Sequence, residues 1–179
     1  FDPIHVGHLI LGEKAYEQLG LDKILFMPAG NPPHKRNRKG RASDEQRVKM
    51  VKLAIQGNPH FELSLIEMNA EGFTYTYRTL ETLKKQNPDT DYYFIIGADM
   101  VEYLPKWHRI DELIEMVQFV GVQRPKYKAG TSYPVIWVDV PLMDISSSAV
   151  RAYIKKDRTP NFMVPQSVLA YIKKAGLYK

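Results

Sequence analysis

The residues best suited to chemistry lie toward the two ends of the chain. The opening run Phe1-Asp2-Pro3-Ile4-His5-Val6-Gly7-His8 carries two imidazoles three positions apart. That spacing puts both rings on one side of a turn that opens a helix. Beside a helix N-terminus, such a pair and the free backbone amides make an anion site. Gly7 has no Cβ and lets the backbone approach a ligand, while Pro3 fixes the entry to the turn. A metal centre fits less well, because no third histidine, cysteine or carboxylate cluster stands nearby in sequence. Taken bare, the pair is as often two incidental loop histidines; the flanking Phe-Asp-Pro favours a built site. Near the other end, Ile145-Ser146-Ser147-Ser148-Ala149-Val150-Arg151 sets a row of hydroxyls before an apolar helical pattern. One of the serines is expected to cap that helix. Hydroxyls, amides and helix dipole together can hold a polyphosphate, and Arg151 can fork onto phosphate oxygens. Alone, this run also reads as an ordinary capped helix.

Between these ends lie weaker candidates. Gly97 closes an apolar strand pattern, and Asp99 can accept hydrogen bonds from ribose hydroxyls or cap a helix. Trp107 offers a flat face on which stacking is worth roughly 1–3 kcal/mol; the alternative is a core or rim tryptophan. Tyr75 and Thr76 open a helix and can present amides to a carboxylate, or simply cap and pack. His34 and Lys35 follow Pro32-Pro33, which stiffens a loop whose cations can reach bound phosphates. The basic run Lys35, Arg36, Arg38, Lys39 and Arg41 reads as a solvated loop rather than a nucleic-acid patch. Arg47 and Arg124 divide evenly between phosphate contact and ion pairing.

The elements that must position these residues alternate in type. Apolar runs at 23–28, 61–68, 91–99, 118–125 and 134–140 read as strands. Amphipathic runs at 8–20, 44–57, 74–86, 110–116, 146–156 and 165–176 read as helices. In the last, Pro165 stands at the start and Gly176 at the end, the expected asymmetry. Strands alternating with helices imply right-handed crossovers and a mostly parallel α/β sheet flanked by helices. Ligands bind such sheets at the carboxyl ends of the strands. With no repeat and no low-complexity linker, residues 1–179 are expected to form a single domain, its first strand lying before Phe1.

Composition narrows little. A formal charge of +5 suits phosphorylated substrates, and equally nucleic acid. With Cys 0, disulfides and thiolate metal sites are excluded and a cytoplasmic address fits best. No apolar run reaches the roughly 20 residues needed to span a bilayer.

FDPIHVGHL resembles the end of the G-x-F-D-P-x-H-x-G-H signature of the HxGH nucleotidyltransferases, whose preceding glycines and hydroxyl residue do not appear in this chain. ISSSAVR resembles the same superfamily's I-S-S-T/S-x-x-R signature. PAGNPPHK (28–35), GFTYTYRT (72–79), FIIGADMVEYLPKW (94–107) and VGVQRP (120–125), with the closing Gly-Leu-Tyr, resemble the bacterial nicotinate-nucleotide adenylyltransferase family. The resemblance implies a Rossmann-like nucleotidyltransferase fold and transfer of an adenylyl group from ATP to nicotinate mononucleotide. It assigns catalysis to His5, His8 and Arg151, and ATP binding to Gly97, Asp99, Arg124, Ser146, Ser147 and Ser148. The mononucleotide falls to Tyr75, Thr76, Lys106, Trp107 and His108, with His34 and Lys35 on a phosphate loop. Mg²⁺ is expected with ATP, with no protein-bound metal and no organic cofactor. Neither nucleic acid nor membrane is an expected partner; a homo-oligomer stays open. Pantetheine-phosphate adenylyltransferase shares both signatures but not the intervening segments. A basic nucleic-acid-binding domain is the alternative of another class, disfavoured because no aromatics interleave the basic run.

Overall fold

The computed structural model describes residues 1–30, 40–68, 75–123, 130–141 and 143–179. In chain order the elements are α1 (Val6–Leu19), β1 (Ile24–Phe26), α2 (Asp44–Ile55), β2 (Phe61–Leu63), α3 (Thr76–Gln86) and β3 (Tyr93–Gly97). There follow α4 (Ala98–Tyr103), a 3-10 turn (Leu104–Lys106), α5 (Ile110–Met116), β4 (Gln118–Gln123), β5 (Val135–Asp139), α6 (Ser147–Lys155) and α7 (Gln166–Lys174). The expected α/β alternation is what the chain forms. Two compact units result, one from Phe1–Phe73 with Met143–Lys179, the other from Thr74–Leu142.

In the first unit β1 and β2 pair in parallel, Ile24 against Phe61 and Phe26 against Leu63. The helix α2 begins at a capping box: Gln46 N–H donates to Ser43 Oγ, and Ser43 N–H donates to Gln46 Oε1. Asp44 and Glu45 stand in its first turn and Lys52 in its last, each favourably placed in the helix dipole. Helices α2 and α7 pack together, and Met50, Val51, Val150 and Val168 of this unit are wholly buried. Removing side chains of this size from water contributes about 1.5–3 kcal/mol each. Ile4 is also wholly buried, so the opening motif is built into the core rather than laid over it.

The second unit is a parallel sheet ordered β3-β4-β5. Tyr93 lies opposite Gln118 and Gly97 opposite Val122, while Phe119 lies opposite Val135. Central β4 buries Phe119 and Val120, as a strand covered on both faces must.

The structure departs from the sequence reading at two elements. The run 61–68 is a strand only over Phe61–Leu63. One further bond joins Ser64 N–H to Phe26 O, but Pro28 beyond it has no N–H to extend a ladder. The chain instead turns, with Met68 N–H donating to Leu65 O. The short helix α4 follows β3 directly, and its six residues are too few for a helical period to show.

Candidate active site

The site in the first unit begins with the cap of α1. His5 is extended and serves as N-cap, so the helix starts at Val6. The backbone N–H of His5 donates to Nδ1 of His8 at 3.2 Å, and the two rings stack with centroids 3.6 Å apart. A Cβ on residue 7 would stand 3.0 Å from His5 Nδ1, so Gly7 makes room for this ring.

The bond from His5 requires a lone pair on His8 Nδ1, which puts the neutral ring's proton on Nε2. Burial, reinforced by the charge of His5, lowers the His8 pKa to about 2. His8 is therefore a neutral donor through Nε2–H. Phe1 packs edge-on against the His8 ring, with centroids 4.8 Å apart.

The three serines divide their work. Ser146 is the N-cap of α6, its Oγ accepting from Ala149 N–H at 3.1 Å. Ser147 Oγ donates to Pro3 O at 2.9 Å. Ser148 Oγ accepts from Arg151 Nη2 at 3.1 Å. Arg151 Nη1 donates to the carbonyl of Asp2 at 2.7 Å, so the two signatures, at opposite ends of the chain, are bonded to each other twice.

A cavity of about 270 Å³ opens beside this junction, lined by Asp2, Arg41, Arg47, Ser147, Ser148 and Arg151. Phe1, whose ring meets the His8 ring edge-on, joins that lining, but neither histidine does. Arg47 is buried and donates through Nη2 to Ala29 O at 2.8 Å and to Asp44 Oδ1 at 2.7 Å. It is ion-paired, one of the two readings the sequence left open, and it lines the cavity. Three guanidiniums and two hydroxyls around one small cavity make a site for a polyanion.

The second unit groups the other candidates. Gly97 is the N-cap of α4 and Asp99 lies in its first turn, so Asp99 is not the cap. Its carboxylate folds back over Gly97, where a Cβ would meet Asp99 Oδ1 at 2.6 Å. Tyr75 is the N-cap of α3 and Thr76 its first residue, with no side-chain cap bond. Tyr75 and His108 rings pack at a centroid distance of 5.0 Å. Trp107 is half-buried and sits edge-on to Phe94 at 5.9 Å and Phe119 at 5.8 Å. One edge of its ring therefore belongs to the core, and the packing alternative is partly met. Lys106 Nζ lies 5.0 Å from the Tyr103 ring centroid, within cation–π range. His34, Lys35 and Arg124 lie outside the described residues. Among the described residues, no three His, Cys, Asp or Glu side chains are grouped to hold a metal ion. Nor is any described helix long and apolar enough to cross a membrane.

Sequence reading missed Asp2, Arg41 and Tyr178. Asp2 is 7% exposed and accepts from Tyr178 Oη at 2.8 Å and from Ala42 N–H at 3.3 Å. Arg41 Nη1 stands 3.4 Å from the other carboxylate oxygen. The sequence carried the acid inside Phe-Asp-Pro, a tyrosine in the closing motif and Arg41 at the end of a basic run read as a solvated loop, but not the contacts that join them.

The cytidylyltransferase-like family model matches residues 1–153. A Streptococcus mutans protein described as a probable nicotinate-nucleotide adenylyltransferase is 60% identical over all of this chain and 85% of its own length. The chain belongs to the nicotinate-nucleotide adenylyltransferase family. A Streptococcus pneumoniae member with the same description is 59% identical over 99% of this chain and 85% of its own length. Among solved structures, a Plasmodium falciparum nicotinic acid mononucleotide adenylyltransferase complexed with NaAD superposes with a TM-score of 0.82. It is 23% identical, covering 99% of this chain and 93% of that one, and so speaks for the fold, a Rossmann-like nucleotidyltransferase.

Proposed function

We propose that this chain transfers the adenylyl group of ATP to nicotinate mononucleotide, forming nicotinate adenine dinucleotide and releasing pyrophosphate. The observation that carries the reading is the cavity where Arg151 and Ser147 of the second signature are bonded to Asp2 and Pro3 of the first. It supplies cationic and hydroxyl donors where a triphosphate has to be held.

A phosphate oxygen of the mononucleotide attacks the α-phosphorus of ATP in line. The bond from that phosphorus to the bridging oxygen of the β-phosphate breaks, and pyrophosphate carries away the electron pair. The nucleophile arrives ionised with the substrate, so no serine, cysteine or general base of the protein is needed. Catalysis rests on positioning and on charge stabilisation. Alignment of the two nucleotides removes of order 7–11 kcal/mol of barrier. His8, neutral with its proton on Nε2, donates to phosphate as negative charge gathers there, and His5 supports the stacked ring. Arg151, Ser147 and Ser148 hold the triphosphate. Tyr75, Thr76, Lys106, Trp107 and His108 receive the mononucleotide, and Gly97, Asp99 and Arg124 bind ATP. Mg²⁺ enters with ATP as the substrate MgATP, bound mostly by phosphates and water. A cytoplasmic setting suits these substrates and the cysteine-free sequence.

Pyrophosphate release by the natural full-length protein tests the reading, with ATP and nicotinate mononucleotide, nicotinamide mononucleotide or phosphopantetheine as acceptor. Fast release with nicotinate mononucleotide is expected. Faster release with phosphopantetheine would replace the acceptor, and tight nucleic-acid binding without any turnover would replace the class.

A further inference from the structure

We infer that Arg41 is a further triphosphate-binding residue, and that the Tyr178 hydroxyl keeps it available by satisfying the buried carboxylate of Asp2. The inference rests on the adenylyl-transfer reading only for the identity of the anion.

Among the described residues, the Asp2 carboxylate has three partners of unequal closeness. Tyr178 Oη is at 2.8 Å and Ala42 N–H at 3.3 Å, both on Oδ1; Arg41 Nη1 is at 3.4 Å on Oδ2. A carboxylate this buried must be compensated by donors. The nearest donor is the phenol. Burial, together with Asp2 itself, pushes the Tyr178 phenol far above its ordinary range, so it remains a donor at every working pH. Among the described residues Arg41 makes one long contact, and its side chain is 35% exposed against 8% for Asp2. A guanidinium carries five N–H donors, and Arg41 lines the cavity. The other two arginines there are more committed. Arg47 is held by Ala29 O and Asp44, and Arg151 by Asp2 O and Ser148.

Without the hydroxyl, Oδ1 keeps only the Ala42 amide. The under-compensated carboxylate then draws Arg41 inward, away from the cavity, and the triphosphate loses a cation. Tyr178 is thus a positioning residue acting through Asp2, 176 positions away in sequence.

The test is steady-state kinetics on the full-length enzyme and on Tyr178→Phe, Arg41→Ala and the double variant, with a melting curve for each. Arg41→Ala is expected to raise the KM for ATP about tenfold, the scale of one charge-assisted hydrogen bond. Tyr178→Phe is expected to raise it about fivefold, with the KM for nicotinate mononucleotide within about twofold of the parent. In the double variant the two effects should not add, because the hydroxyl acts only through Arg41. Additive effects, equal rises in both KM values, or a lowered melting temperature with unchanged KM for ATP would each overturn the inference. If Tyr178→Phe fails to fold, Arg41→Ala decides alone, an unchanged KM for ATP overturning it. A parent enzyme that prefers another acceptor corrects the acceptor in the proposed function and leaves the ATP comparison intact; a parent that does not turn over ATP overturns both.

Discussion

The imidazoles of His5 and His8 stack with their planes 27° apart, and the amide of the first holds Nδ1 of the second. One geometry therefore caps the helix and orients the donor proposed for catalysis, because the same bond that satisfies the cap leaves the proton of His8 on Nε2.

His8→Ala is expected to lower kcat by about two to three orders of magnitude, the scale of removing one preorganised donor at a developing charge. Folding should survive, at a cost of about 1 kcal/mol for the lost cap interaction. Turnover near that of the parent would remove His8 from the chemistry and leave it as a cap.

The lowered pKa of His8 has a consequence for stability. The unfolded chain takes up the proton near pH 6.5, whereas the folded chain resists it to about 2. Below the unfolded value the unfolded state thus binds more protons, and stability rises with pH. The contribution is complete above about pH 6.5 and is lost progressively as pH falls below it. Denaturation midpoints measured between about pH 7 and 5 should fall toward the acid end. His8→Gln keeps a side chain able to accept from the cap amide but does not titrate, so its profile should be flatter. Parallel profiles for parent and variant would assign the acid sensitivity elsewhere.

Arg151→Lys keeps the charge but cannot bridge Asp2 O and Ser148 Oγ as the planar fork does. A fall in kcat/KM for ATP of about 10- to 100-fold is expected, with little change in thermal stability, since one face of the contact is solvent-exposed. An unchanged kcat/KM would mean that point charge alone suffices there.

Trp107→Ala should raise the KM for the mononucleotide much more than that for ATP. Because the ring also packs against Phe94 and Phe119, the variant is expected to lose stability as well, and Trp107→Phe is the control that retains part of the packing. In the parent enzyme, amide donors near Thr76 and after Trp107 should favour the nicotinate carboxylate over the nicotinamide group, whose NH₂ would face other donors. Equal efficiency with both mononucleotides would end the selectivity argument, and an unchanged mononucleotide KM would return Trp107 to the core.

Strand and helix order were legible in the residues themselves. Apolar runs stopped by Gly, Pro or Asp marked β1 and β3 to β5, and periodic runs marked six of the helices, because burial on one or both faces writes its period into the sequence. A serine cap among Ser146, Ser147 and Ser148, which falls on Ser146, and the turn at Gly176, where φ is 61°, were equally readable, since capping and left-handed backbone favour particular residue types. Both signatures were visible, but not what joins them. The bonds from Ser147 to Pro3 and from Arg151 to Asp2 span 144 and 149 positions, and no local pattern encodes a partner so distant. The same holds for Tyr178, Asp2 and Arg41, where a buried acid became a hub because the fold delivered a phenol from the far end of the chain. The sequence by itself determined the alternation of strands with six of the helices, because burial on one face is written locally as a period. Tertiary structure alone decided which donors surround Asp2, and that His8 is neutral with its proton on Nε2, because desolvation and pairing depend on neighbours brought together only by packing.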